Sequence, residues 1–190
     1  MDVTRDRDAV GHRYEVPGWG VGELLVRDGF LLAHALPSRR RKLFPAGGGP
    51  REGAKPPEVT LAGEPSQVGD GFVPELCRRF AAHLGGSRVA YDDVAVDDSR
   101  LSDFQRELLR AIRTVAWGDV VSYGDLAALA GRPRAARAAG SFCAGNRFSL
   151  VVPCHRVVAA GRGEPYELGG YGSSGQRLKR RLLALEGTLL

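Results

Sequence analysis

Pro153-Cys154-His155-Arg156-Val157-Val158 sets a thiol and an imidazole side by side, directly after an apolar run at residues 149–152. The run reads as a buried strand stopped by Pro153, because proline cannot donate to a sheet ladder. A cysteine in that setting has two readings. It is an inert core side chain, since free cysteine is among the residues most often buried, or it is a nucleophile. The second reading draws on His155 and Arg156, because a neighbouring imidazole and a nearby cation lower a thiol's pKa. Consecutive side chains of a strand point to opposite faces. Cys154 and His155 therefore work together only if the backbone turns at Pro153 or a water joins them.

Outward from this stretch, toward the N-terminus, Ser122 caps a short helix over 123–130 that Gly131 closes. Pro133 starts a second helix, 134–144, rich in Ala and Arg. Two short helices joined by Gly131-Arg132-Pro133 make a helix-turn-helix candidate. Ala135, Ala136, Ala138, Ala139 and Gly140 permit close approach to a groove, with Arg134 and Arg137 as charged contacts. Ala-rich helices also pack closely inside proteins, so the pattern alone leaves both readings open. Further out, Ser102 and Gln105 form a capping box ahead of a stripe made by Phe104, Leu108, Ile112 and Val115. On the other side a last helix, 176–186, places Leu178, Leu182 and Leu185 on an apolar side and Lys179, Arg180 and Arg181 toward solvent or DNA. Gly187 ends it.

Pro153-Cys154-His155-Arg156-Val157-Val158 resembles the signature of the O6-alkylguanine-DNA alkyltransferases, the methylated-DNA–protein-cysteine methyltransferases. The resemblance begins at Phe104, in FQRELLRAIRTVAWGDVVSYGDLAALAG, continues through RPRAARAAGSFCAGNRFSLVVPCHRVV and ends with RLLALEG at residues 181–187. It implies DNA repair by direct, irreversible transfer of the alkyl group from O6-alkylguanine to Cys154, once per molecule. By the same resemblance Glu186 orients His155, which acts through a water as base on Cys154, and Asn146 braces the active-site turn. Tyr123 helps rotate the nucleotide out and donates to the leaving guanine, while Arg137, on a helix in the minor groove, takes the place of the extruded base. Such base flipping offsets a few kcal/mol of unstacking with intercalation and pocket contacts. Ser122, Arg134, Ala135, Ala136 and Gly140 complete the implied DNA surface. Val157, Tyr171, Gly172 and Ser173 are matched to the alkylguanine pocket, with Tyr166 as the rival of Tyr171. Arg156 is expected to anchor the loop by hydrogen bonds.

This chain departs from the family pattern in two places. The loop at residues 159–175 is a few residues longer than usual, and Arg147 stands where a proline often follows the asparagine. Two rival functions use the same residues. A damaged-DNA-binding protein of the alkyltransferase-like kind recognises the lesion without transfer, but such relatives lack the cysteine. A thiol hydrolase built on Cys154, His155 and Glu186 needs an oxyanion hole, for which the sequence offers no evident candidate.

The N-terminal half reads differently. Residues 20–26 and 30–36 make two strands around the Asp28-Gly29 turn. From residue 37 to about 70 the chain turns to Pro, Gly, Arg and Lys, which bury little, and reads as a mobile surface loop. Its RRRK run at 39–42 is either a solvated charge cluster or a phosphate contact. A helix over 74–84 follows, with Leu76, Phe80 and Leu84 on one face, and then a short strand and linker over 89–98.

The expected fold is therefore α/β: a small β-rich domain over 1–98, and a mostly helical DNA-binding domain over 99–190 carrying the helix-turn-helix and the active-site cysteine. Charge divides the same way. Residues 102–190 hold 13 Lys+Arg against 7 Asp+Glu, whereas residues 1–101 hold 14 against 15, so the basic excess lies with the motif and suits a polyanionic partner. The expected partner is double-stranded DNA containing O6-alkylguanine, met by a monomer. With 43% hydrophobic residues in 190 and a mean hydropathy of −0.19, composition is that of a soluble globular protein. No apolar run approaches the roughly 20 residues of a membrane helix, and MDVTRDRDAVGHRYE lacks the core of a signal peptide. Cys77, Cys143 and Cys154 form no CxxC pair, which suits a reducing, cytoplasmic setting. Cys77 and His83 alone do not make a zinc site, and no cofactor or metal is expected.

Overall fold

The computed structural model describes residues 9–38, 71–161, 166–171 and 175–189. The chain divides into two compact units, Met1–Asp97 and Asp98–Leu190.

In the first unit three antiparallel strands, β1 (Val10–Val16), β2 (Gly20–Arg27) and β3 (Phe30–Ser38), form a sheet in that order. Asp28 (φ 51) and Gly29 (φ 79) both occupy the left-handed region, as the tight turn between β2 and β3 requires. β1 is an additional strand: its Gly-His-Arg opening hides the alternation that reveals β2. Tyr14 lies across Gly22, its partner in the register, so closely that a Cβ at Gly22 would collide with the ring. Helix α1 (Phe72–Leu84) buries Leu76, Phe80 and Leu84, and Gly86 (φ 89) closes it through bonds from Gly86 N to His83 O and Ser87 N to Ala82 O. Of residues 89–98, expected to hold a strand, only Val96 bridges to Leu31; the rest is irregular chain with a turn at Asp92-Asp93. Of the expected loop from 37 to 70, Pro37 and Ser38 continue β3. Its remainder, including the RRRK run, lies outside the described residues.

The second unit opens with α2 (Asp103–Arg113), capped by the reciprocal Ser102–Gln105 box and buried through Leu108 and Ile112. Strand β4 (Val121–Ser122) leads straight into α3 (Tyr123–Leu129), which Gly131 (φ 77) ends with bonds from Gly131 N to Ala128 O and Arg132 N to Ala127 O. Helix α4 covers Ala136–Ala144. It starts two residues later than the sequence suggests, because Pro133 and Arg134 form a turn closed by Ala135 N on Arg132 O, and no side chain caps it. Strand β5 (Val157–Ala160) pairs in parallel with β4, with Val121 opposite Val157 and Ser122 opposite Val158, while β6 (Tyr166–Glu167) pairs antiparallel with β5. Helix α5 runs Gly175–Leu185. The β4–β5 pairing brings the start of α3 beside the strand that leaves the Cys154 turn.

Candidate active site

Residues 149–152 are a turn, not a strand. A short buried apolar run cannot be assigned by periodicity, and here local hydrogen bonds take the place of a sheet ladder. The Asn146 Oδ1 accepts from Phe148 N (3.0 Å), its Nδ2 donates to Val152 O (2.8 Å), and Val152 N donates to Phe148 O (2.8 Å). Within this turn Leu150 is held at φ 70, a left-handed conformation uncommon for a branched side chain. The chain then enters a single 3-10 turn, Cys154–Arg156, behind Pro153. In a 3-10 turn successive side chains fan out by about 120°, so Cys154 and His155 diverge less than they would on a strand.

Asn146 also donates its Nδ2 to the Cys154 sulfur at 3.0 Å. The thiol is buried at 5% exposure, and burial raises its pKa, opposed by the Asn146 hydrogen bond, by Tyr171 and by the charge of Lys179. Among the described residues the buried Tyr171 hydroxyl has no partner at full hydrogen-bond geometry, yet it lies close enough to the sulfur to favour the thiolate. Gly172 and Ser173, the other expected pocket residues after Tyr171, lie outside the described residues. Tyr166 packs with Val120 against Val158, Leu168 and Leu183, so between the two tyrosines it is Tyr171 that reaches the thiol. Val157 is fully buried.

His155 is fully buried, and its Nε2 meets Glu186 Oε1 at 2.9 Å. Glu186 is shared. Arg156 donates Nε to Oε2 (2.8 Å) and Nη2 to Oε1 (2.9 Å), while its Nη1 donates to Val115 O (2.7 Å). An ionised carboxylate only accepts, so Nε2 carries the hydrogen toward Glu186 and Nδ1 is the basic nitrogen. The bidentate arginine also offsets the unfavourable position of a carboxylate just beyond the C-terminal end of α5.

Tyr123 stands at the first turn of α3, half-buried, and donates its hydroxyl to Gly170 O (3.3 Å). Burial pushes its pKa up to about 12. Ser122, expected at the DNA surface, is buried and caps α3: its Oγ accepts from Asp125 N (3.1 Å) and donates to Asp125 Oδ2 (2.7 Å). On α4 and its approach Arg134, Arg137 and Ala138 are exposed, Ala135, Ala136 and Gly140 are half-buried, and Ala139 faces the core.

One buried side chain escaped sequence reasoning. Lys179, expected toward solvent or DNA, is fully buried. Its Nζ donates to Val157 O (2.5 Å) and Gly170 O (3.1 Å) and lies 5.7 Å from the centre of the Tyr123 ring. The signal was present, because Lys179, Leu182, Leu183 and Glu186 are spaced i, i+3, i+4, i+7 and are the residues α5 and its end bury. Leu178 and Leu185, expected on the apolar side, are half-buried.

Residues 103–188 match the family model described as the DNA-binding domain of 6-O-methylguanine DNA methyltransferase. The chain is 41% identical over 134 residues to a methylated-DNA–protein-cysteine methyltransferase of Methanopyrus kandleri, covering 70% of this chain and 95% of that one. It is 49% identical over 115 residues to that of Salmonella typhimurium, covering 60% and 64%. Among solved structures, Mycobacterium tuberculosis OGT in complex with DNA superposes with a TM-score of 0.66 at 28% identity, covering 93% of this chain and 92% of that one. A cysteine on a braced turn, a histidine–glutamate pair behind it, a helix-turn-helix beside it and these likenesses lead to one conclusion: the chain belongs to the methylated-DNA–protein-cysteine methyltransferase family.

Proposed function

We propose that the protein repairs O6-alkylguanine in double-stranded DNA by transferring the alkyl group to the Cys154 sulfur, once per molecule. The observation that carries this reading is the arrangement around that sulfur, with an Asn146 donor at 3.0 Å and, on the same turn, His155 paired with Glu186.

The steps follow from those groups. His155, polarised through Nε2 by Glu186, receives the thiol proton at Nδ1 through a water. The thiolate displaces guanine in line: the S–C bond forms, the C–O6 bond breaks, and the electron pair goes to guanine O6. A proton returned to the base completes the leaving group, and Tyr123 is the donor placed for it. The product is a thioether on Cys154. No group around it is suited to remove an alkyl from sulfur, so the protein is consumed.

A thiol this deep reaches O6 only when the guanine has left the stack. The exposed Arg137 and Ala138 on α4, with Arg134 just before it, suit a helix entering the minor groove, Arg137 filling the gap. One base and one cysteine need no second subunit, and three free cysteines fit a monomer in the reducing cytoplasm. The test is intact-protein mass spectrometry after incubation with a duplex containing O6-methylguanine, then peptide mapping. One methyl on the Cys154 peptide, saturating at one per molecule, is expected; tight binding without an adduct would overturn transfer.

A further inference from the structure

Between Leu126 and Gly163 the chain carries six arginines and no aspartate or glutamate. Such a run must find its counter-charges elsewhere. Arg156 finds one in Glu186, and Arg132 lies 4.7 Å from the centre of the Phe104 ring. Arg134 and Arg137 lie just before and on the helix proposed to enter the minor groove, and Arg162 lies outside the described residues. That leaves Arg147, which is exposed and, among the described residues, has no hydrogen bond, ion pair or ring contact. On α2, by contrast, Arg106 and Arg110 are held by Asp103 and Glu107.

The backbone under this side chain is fixed from both sides. Asn146 N donates to Cys143 O at the end of α4 (3.3 Å), Asn146 Oδ1 accepts from Phe148 N (3.0 Å), and Phe148 is buried. Arg147 is thus the middle residue of a turn closed by the Asn146 side chain. The same Asn146 donates its Nδ2 to the Cys154 sulfur at 3.0 Å. A guanidinium that never loses its charge is therefore carried one residue from the side chain that touches the nucleophile. Arg147 stands where the family pattern often has proline, so this cation is a feature of the present chain.

A guanine drawn out of the stack onto Cys154 takes its own sugar with it, and the phosphates on either side of that sugar follow to the edge of the site. A guanidinium matches a phosphate with two parallel N–H donors. We propose that Arg147 binds a phosphate flanking the extruded O6-alkylguanine and so positions the nucleotide for transfer. This deepens the reading given above and rests on it. The two ends of α4 then have different tasks: Arg137, in its first turn, acts where the base has left, and Arg147, beyond its last, acts on the nucleotide that has moved.

The test is the single-turnover rate of Cys154 alkylation in the full chain, read by intact mass, with O6-benzyldeoxyguanosine and with the same nucleoside phosphorylated on both sugar hydroxyls. No duplex is present, so base flipping and gap filling drop out of the comparison. Arg147→Ala should lower the ratio of the phosphorylated to the unphosphorylated rate roughly fivefold, Arg147→Glu should lower it further, and Arg147→Lys should keep most of it. With an O6-methylguanine duplex, Arg147→Ala should also lower the salt slope of binding by about 1. Ala and Glu variants that keep the wild-type ratio would overturn the proposal, even if both repaired the duplex more slowly. A wild-type protein that alkylates Cys154 from neither the nucleosides nor the duplex would overturn the repair reading and this proposal together.

Discussion

The two units each bury a cysteine among aromatic and histidine side chains, and they treat it in opposite ways. In the first unit Cys77 lies fully buried on α1 beside a packed group in which Tyr14 and His34 share a 2.6 Å hydrogen bond and His34 stacks on Phe80 at 3.9 Å. Burial alone pushes that thiol up to about 12. In the second unit Cys154 is buried as well, but Asn146, Tyr171 and Lys179 all work against the effect. Depth does not distinguish a structural thiol from a reactive one; the donors and charges aimed at the sulfur do.

The hardest test of that contrast exchanges the two cysteines' fates. Cys154→Ala should abolish methyl transfer from an O6-methylguanine duplex, whereas Cys77→Ala should leave one methyl per molecule, both read by intact mass. Residual stoichiometric transfer without Cys154 would break the comparison. Next in size is Glu186→Gln. It removes the buried charge that Arg156 and His155 share, so folding should weaken by about 3–5 kcal/mol in denaturant melts, with transfer strongly slowed. Asn146→Ala should cost about 1–3 kcal/mol through the carbonyl and turn it leaves unpaired. Losing the donor to sulfur must also raise the thiol's pKa, so the pH profile of Cys154 alkylation should move upward.

Arg137→Ala acts at the surface. It should slow repair of duplex DNA more than reaction with free O6-benzylguanine, and lower the salt slope of DNA binding by about 1. Equal losses with both substrates would argue against flipping. The smallest effect belongs to the first unit. Tyr14→Phe removes the hydroxyl from His34 and should weaken folding by about 0.5–1.5 kcal/mol with methyl transfer unchanged; a change in transfer would tie the aromatic group to the reaction.

Much of this protein was legible from local rules. The Asp28-Gly29 turn, the capping box at Ser102, the Ser122 cap and the glycine stop at Gly131 are short-range devices whose geometry follows from residue type. The Cys154-His155 pair and Glu186 were readable as motif residues. β1 was missed because its pairing with β2 supplies what its own alternation lacks, and residues 149–152 were misread because an Asn146 side chain, not a neighbouring strand, satisfies their backbone. Ser122 was placed at the DNA surface although its hydroxyl is engaged in the cap.

The sequence by itself determined the nucleophile candidate, the helix-turn-helix and the two-part α/β division, because each rests on contacts within a few residues or on residue types that carry their own chemistry. Only the tertiary structure decided that Glu186 serves Arg156 as well as His155, that Tyr171 rather than Tyr166 faces the sulfur, and that Lys179 points inward. Those three facts join residues far apart in the chain, His155 with Glu186 at 31 positions and Lys179 with Val157 at 22. The charge on a side chain names its preference for water, but the direction in which a helix turns its face is set by everything packed against it.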